Sequence, residues 1–226
     1  MSCAEMWCYE GENMTDILSD SLTYSTWHTP ATDYQRVQVG RFRIASTRYR
    51  GYYNMSGLLD SALFRAAKPL VITTLQEKRH GKWYQWMVDD PPHWEAMKFY
   101  AERSSGHVLT TGLGLGLVLH SLALNPEVKS VTVIERSQDV IDLIGNQVPA
   151  CNIVLGDFYE FLDTTLLEFD TCIVDLWVAH DAASKLEAYK SAIYTYIKVR
   201  ERWPKAKLFF HGFVTLCDEL WPMSEE

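Results

Sequence analysis

No apolar run in this 226-residue chain approaches the roughly 20 residues that cross a bilayer. Nor does its start, MSCAEMWCYEGENMTD, carry the basic residues and continuous apolar stretch of a secretory signal. A soluble, cytoplasmic protein with no membrane partner is expected. An excess of basic charge is missing as well. The net charge is −8 and the pI about 5.4, so no overall field attracts phosphate backbones, and nucleic acid is not an expected partner. Cysteine is sparse: Cys3, Cys8, Cys151, Cys172 and Cys217 form no C-x-x-C pair and no histidine-linked zinc spacing. They read as reduced thiols, and no metal is expected. Low-complexity tracts and internal repeats are also absent, which leaves no sign of a fibrous or extended disordered chain.

What is present is the composition of an ordinary globular protein, 47% hydrophobic and 22% charged. The length allows one sizeable core with a smaller appendage. We expect a β-rich N-terminal extension and linking helix over 1–103, followed by an α/β domain over 104–226. The first thirty residues, polar with scattered aromatics, read as an arm that packs on the body or on a partner subunit. Val37, Val39, Phe42 and Ile44 alternate with Gln38, Arg41 and Arg43, which predicts strand broken near Gly40. The arginines from Arg36 to Arg50 read as a solvated strand face, with an anion-binding surface as the alternative. Gly57 to Ala67 predicts a short helix. Pro69–Leu75 and Lys82–Val88 predict a hairpin turning at Gly81, with QEKRHG as the connection.

Asp89-Asp90-Pro91-Pro92 is a helix-start signal, and the helix continues to Arg103, where Ser104-Ser105-Gly106 closes it. From His107 onward, apolar strand-length runs (His107–Thr111, Ser130–Glu135, Asn152–Leu155, Thr171–Asp175, Lys207–His211) alternate with helical patterns. These lie at Leu115–Asn125, Ser137–Val148, Phe158–Leu167 and Ala182–Trp203. Such alternation predicts a Rossmann-like doubly wound parallel sheet covered by helices.

The sharpest motif is VLTTGLGLGL. An apolar strand runs into Gly112, Gly114 and Gly116 and then into an apolar helix, a turn whose backbone can approach a ligand closely. A tight βα turn without ligand is the plain alternative. The next strand, VTVIE, ends in Glu135, where an acid can accept hydrogen bonds from both hydroxyls of a ribose. A dinucleotide fingerprint would want a small residue where Leu117 stands, so the spacing departs from that of NAD sites.

In these residues the chain resembles the class I S-adenosylmethionine-dependent methyltransferase superfamily, whose first motif is an apolar strand followed by G-x-G-x-G. The resemblance implies that Gly112, Gly114 and Gly116 face the amino-acid part of S-adenosylmethionine and that Glu135 binds its ribose. In LGDFYEFL, Asp157 would meet the adenine amino group, with Phe158 near the base. Asp157 could equally cap the helix beginning at Phe158, or do both. FDTCIVDLW matches the fourth strand and ends in the candidate catalytic Asp175, at the sheet end where ligands bind. Trp177, His180 and Asp181 are candidates for an acceptor pocket.

The layout resembles that of spermidine synthase: a β-rich segment, a linking helix with Asp89 and Glu95 in the place of that family's D-E-x-x-Y-H-E-M, then the cofactor domain. Leu115 stands where that family has an aspartate, and Asp175-Leu176-Trp177-Val178 replaces its D-S-S-D loop. Methyl transfer to a small-molecule or protein acceptor is therefore ranked first, aminopropyl transfer second, and a non-catalytic adenosyl-ligand-binding protein remains a third reading. The chain ends about fifteen residues after its fifth strand, so we expect a sheet that is truncated, or completed by N-terminal strands or a partner. A homo-oligomer through the aromatic N-terminal region is a further expectation.

Overall fold

The computed structural model describes residues 22–49, 52–54, 63–66, 68–177 and 182–213. Five of its strands form one parallel sheet: β8 (Gly106–Thr111), β9 (Val128–Glu135), β10 (Asn152–Leu155), β11 (Thr171–Val174) and β12 (Lys207–Phe210). They lie in the order β10-β9-β8-β11-β12. Counted along the sheet this is 3-2-1-4-5, with the direction of progression reversing between β8 and β11, which is the doubly wound Rossmann-like arrangement. Strands of such a sheet are covered on both faces, and accordingly every residue of β11 and the last four of β8 are buried.

The connections carry helices α1 (Pro91–Glu102), α2 (Leu117–Leu122), α3 (Gln138–Ile144), α4 (Phe158–Thr164) and α5 (Ala182–Arg202). Asp90 caps α1 by accepting from the His93 amide at 3.1 Å, and Pro91 and Pro92 occupy positions whose N–H would have no helical partner. The Asn125 side-chain amide donates to the Ala101 and Ser104 carbonyls, tying the end of α1 to the end of α2. Across the sheet, the hydroxyls of Tyr159 and Thr195 join α4 to α5 at 2.7 Å. Trp203, fully buried, packs edge-on against Phe169 and donates to the Leu167 carbonyl. The outer face of α5 leaves Leu186, Tyr189, Ile193, Tyr194 and Ile197 exposed.

Ahead of this sheet, β2 (Gln38–Val39), β3 (Phe42–Tyr49), β6 (Leu70–Arg79) and β7 (Lys82–Val88) form an antiparallel sheet in the order β2-β3-β6-β7. Turn residues His80 and Gly81 both have positive φ (49° and 78°), the geometry that a two-residue hairpin between twisted strands requires. The hairpin expected from sequence is present, but β6 runs on to Arg79. QEKR is strand, because Gln76 and Glu77 pair with Gln85 and Tyr84 across the ladder. Gly106 likewise belongs to β8 and does not close the preceding helix, since its N–H bonds the Glu127 carbonyl.

A third sheet, of β1 (Leu22–Tyr24), β5 (Leu63–Ala66) and β4 (Tyr52–Asn54), corrects the helix expected over Gly57 to Ala67. Leu63–Ala66 is strand, held on both edges by β1 and β4, and such pairing overrides local propensity. Residues 57–62 and 67 of that expectation lie outside the described residues.

Three arginines of the basic stretch, Arg36, Arg41 and Arg43, are engaged within the chain. Arg36 donates to three carbonyls and to the hydroxyls of Ser46 and Thr73. Arg41 pairs with Glu77, and Arg43 lies 4.1 Å from the Trp83 ring centroid. The antiparallel sheet also docks directly on the parallel one, since Phe42, Ile44 and Leu75 share one buried cluster with β8, β11 and β12. Among the described residues no helix is long and apolar enough to cross a membrane.

Candidate functional site

At the reversal point the carboxyl ends of β8 and β11 lie side by side, and a Cβ built on Gly112 would touch the Asp175 carbonyl at 3.4 Å. A cleft of about 470 Å³ opens here. Its floor and one wall come from the parallel sheet: Thr111, Gly112, Gly114, Glu135, Asp157, Phe158, Asp175 and Trp177 all line it. The other wall is the edge strand β7, which contributes four consecutive residues, Gln85 to Val88. Regular strand would turn alternate side chains away. The register shift that pairs Leu75 with Met87 but Gln76 with Gln85 is a bulge at Trp86, and a bulge re-aims its neighbours.

The glycine turn is held from several directions. Gly112, Gly114 and Gly116 all adopt positive φ (76°, 53° and 65°), which explains the residue type at each. The Leu113 amide donates to Glu135 Oε2 at 2.7 Å, and the Leu115 amide to the Met87 sulfur at 3.2 Å. Gly116 N–H bonds the Leu113 carbonyl, while the Leu115 carbonyl accepts from the Tyr34 hydroxyl at 3.0 Å. Gly114 faces Met87 and Gly116 faces Val148. Only the first two glycines line the cleft; the third packs α2 against the segment after α3.

Glu135 is 7% exposed and has two internal partners, the Leu113 amide on Oε2 and the Ser137 amide on Oε1 at 2.8 Å. It fastens the glycine turn to the start of α3. A carboxylate accepts about four hydrogen bonds, so each oxygen keeps a lone pair for a hydroxyl from the cleft. Asp157 takes the capping role foreseen for it. It caps α4 by accepting from the Tyr159 and Glu160 amides at 2.8 and 3.3 Å, while remaining exposed at the cleft wall. Phe158 behind it is buried against Tyr159.

Asp175 follows β11, its amide donating to Thr111 Oγ1 at 2.8 Å. Burial raises its carboxyl above the usual range, and His211 acts in the opposite direction. Trp177 stacks on Phe210 and meets Phe213 edge-on. His180 and Asp181 lie outside the described residues.

The sequence reading missed a polar group at the base of the cleft. His93 from α1 and His211 after β12 both line it, their rings 5.0 Å apart, and the Tyr100 hydroxyl lies 3.3 Å from His211 Nδ1. His93 Nε2 is buried without a partner among the described residues, and burial, with the neighbouring His211, lowers its pKa to about 3. Burial pushes Asp90, beneath it, up to about 6, against the lowering effect of the His93 amide. His211 is far in sequence from Asp90, His93 and Tyr100, which belong to α1 or its cap. The only available signal was His211 at the carboxyl end of a predicted parallel strand. Among the described residues no cluster could hold a metal ion.

Asp89 and Glu95 stand away from the cleft. Asp89 is fully buried and accepts from the Thr29 hydroxyl and the Thr73 amide, anchoring the N-terminal arm to β6. Glu95 accepts from the Tyr24 hydroxyl at 2.9 Å and pairs with Lys98 at 2.7 Å.

No family model matches the sequence, and no curated protein matches it. Among solved structures, a dimethyladenosine transferase from Plasmodium falciparum aligns at 22% identity and TM-score 0.37, over 54% of this chain and 42% of that one. Spermidine synthase from Thermotoga maritima aligns at 17% identity and TM-score 0.41, over 59% and 60%. TYW2 from M. jannaschii, solved in complex with AdoMet, aligns at 17% identity and TM-score 0.36, over 57% of each. The chain thus spans between 42% and 60% of the length of these structures. By its own strand order, with the glycine turn after the central strand and an acid ending the next, this chain has a Rossmann-like doubly wound fold.

Proposed function

We propose that the cleft binds S-adenosylmethionine or a close adenosyl-sulfonium relative, and that the chain is a transferase, in the first place a methyltransferase acting on a small-molecule or protein acceptor. The observation that carries this reading is Glu135. It is buried at the end of the second parallel strand, clasped to the glycine turn, and still faces the cleft that Asp157 and Asp175 share. Ribose hydroxyls suit its remaining lone pairs, and Asp157 with the Phe158 edge suits an adenine. Among the described residues, three carboxylates and one guanidinium, that of Arg136, line the cleft, a balance that suits a positively charged sulfonium.

A bound sulfonium supplies an activated carbon whose bond to sulfur breaks with the electron pair leaving on sulfur. The chain's own task is then largely alignment. Asp175, with a carboxyl raised by burial, is placed to accept the proton that an amine or hydroxyl acceptor loses as it forms the new bond to carbon. Trp177, stacked on Phe210, walls the acceptor side. The same acidic lining favours aminopropyl transfer as the second reading, because a polyamine acceptor is itself cationic.

Calorimetric titration of the full chain with S-adenosylmethionine and with its decarboxylated form tests the site. Saturable binding of either is expected, weakened by about 1–3 kcal/mol in Glu135→Gln, the cost of mispairing buried hydroxyl partners. Absence of heat with both ligands would overturn the assignment. Turnover against mixed acceptors then separates an enzyme from a binding protein, and full turnover by Asp175→Asn would remove that residue from the chemistry.

A further inference from the structure

Three amides of the glycine turn that could meet a ligand carboxylate already have partners: Leu113 N–H goes to Glu135, Leu115 N–H to Met87 and Gly116 N–H to Leu113. The Met87 thioether lies directly on Gly114, where an added Cβ would overlap its sulfur and sit 2.7 Å from its terminal methyl. Met87 arrives there through the bulge at Trp86, and the bulged edge strand lines the cleft over its last four residues. Glu135, bonded to the turn, would repel a second carboxylate, and the guanidinium of Arg136 lies over the Trp86 ring, 5.8 Å from its centroid. Under Met87 the turn is thus apolar and filled.

Resting on the adenosyl reading above, we propose that Met87 determines which adenosyl ligand the cleft accepts. By filling the space over Gly114 and capping the Leu115 amide, it favours adenosyl thioethers and sulfoniums whose side chain carries no carboxylate, a preference that, within the adenosyl reading, weighs toward its second, aminopropyl-transfer form. A carboxylate-bearing ligand must displace the thioether and take the Leu115 amide in its place. Removing the side chain should therefore improve carboxylate-bearing ligands selectively.

The experiment is calorimetry of the full chain with two stable probes, methylthioadenosine and S-adenosylhomocysteine, which share the adenosyl thioether and differ in the amino-acid tail. The wild-type protein is expected to bind methylthioadenosine as tightly as S-adenosylhomocysteine or more so. Met87→Ala should gain about tenfold or more for S-adenosylhomocysteine while changing less than about threefold for methylthioadenosine. Met87→Leu, which refills the volume, should keep the wild-type preference. A wild-type preference of more than about threefold for S-adenosylhomocysteine overturns the role of Met87 while leaving the adenosyl site standing, and it does so even if the alanine variant does not fold. An unchanged ratio in a folded Met87→Ala overturns it equally. Failure of both probes to bind the wild type overturns the adenosyl reading, and this proposal with it.

Discussion

Two of the turns built on glycines of positive φ live in opposite surroundings. At the tip of the antiparallel hairpin, a Cβ added to Gly81 would meet nothing within 4 Å. In the turn after β8, the same addition would overlap Met87 at Gly114 and Val148 at Gly116. The backbone demand is alike in both places, but only the second turn is pressed between a strand edge, a helix end and a buried acid. A tip in solvent can relax around a substitution; a turn clasped on every side transmits the strain to the cleft wall.

The sharpest way to break that comparison is Gly116→Ala against Gly81→Ala. We expect about 3 kcal/mol or more of destabilisation for Gly116→Ala, from overpacking added to the left-handed backbone. For Gly81→Ala we expect about 1–2 kcal/mol, from the backbone alone. Val148→Ala should recover part of the first loss and none of the second. Denaturant midpoints of the three variants and the double mutant check this, and equal costs at both glycines would mean that packing does not distinguish the turns.

Glu135→Ala follows in size, with about 1–3 kcal/mol of stability lost for each buried amide left unpaired at Leu113 and Ser137. Because that loss occurs without ligand, thermal unfolding of the free protein should register it alongside any change in affinity. A variant as stable as the wild type would show that the clasp between turn and helix contributes nothing.

Acid sharpens the picture of the cleft floor. The unfolded chain protonates His93 near the ordinary 6.5 and the folded chain only near 3, so over that range unfolding takes up a proton and stability falls with falling pH. Asp90 runs the other way: its folded carboxyl protonates near 6 and its unfolded one near 3.8, so over that range the folded state gains as pH falls. Asp90→Asn keeps a helix cap but removes this gain. Between pH 6 and 4 the variant should therefore lose stability faster than the wild type, by up to about 1.4 kcal/mol per pH unit. Superimposable pH profiles would rule out a titrating Asp90.

The smallest effect belongs to the exposed wall. Asp157→Ala should cost about 1 kcal/mol through the lost cap of α4, and Asp157→Asn only a few tenths. Chemical denaturation resolves the difference, and two equal losses would place the contribution of Asp157 outside its cap.

Much of the parallel sheet was legible in the amino-acid order. Runs such as CIV and LFF are apolar throughout because both faces are covered, and the alternation of these runs with 3.6-residue patterns fixes the strand-helix order. The glycines announced left-handed backbone, and Asp157 announced a cap, because both are requirements of a few adjacent residues. Leu63–Ala66 was misread for the converse reason: its strand exists only through pairing with Leu22–Tyr24 and Tyr52–Asn54, about 40 and 10 residues away in sequence.

The sequence alone therefore determined the order of elements, the positive-φ turn after the central strand and the acid that ends its neighbour, since each is set by short-range sterics and periodicity. The tertiary structure decided what those features touch. It placed Met87 on Gly114 through a bulge, gave both oxygens of Glu135 backbone partners, and gathered His93, Asp175 and His211 from three elements onto one cleft floor. Contacts of this kind join residues whose spacing along the chain is arbitrary, and only the packing of sheet on sheet brings them together.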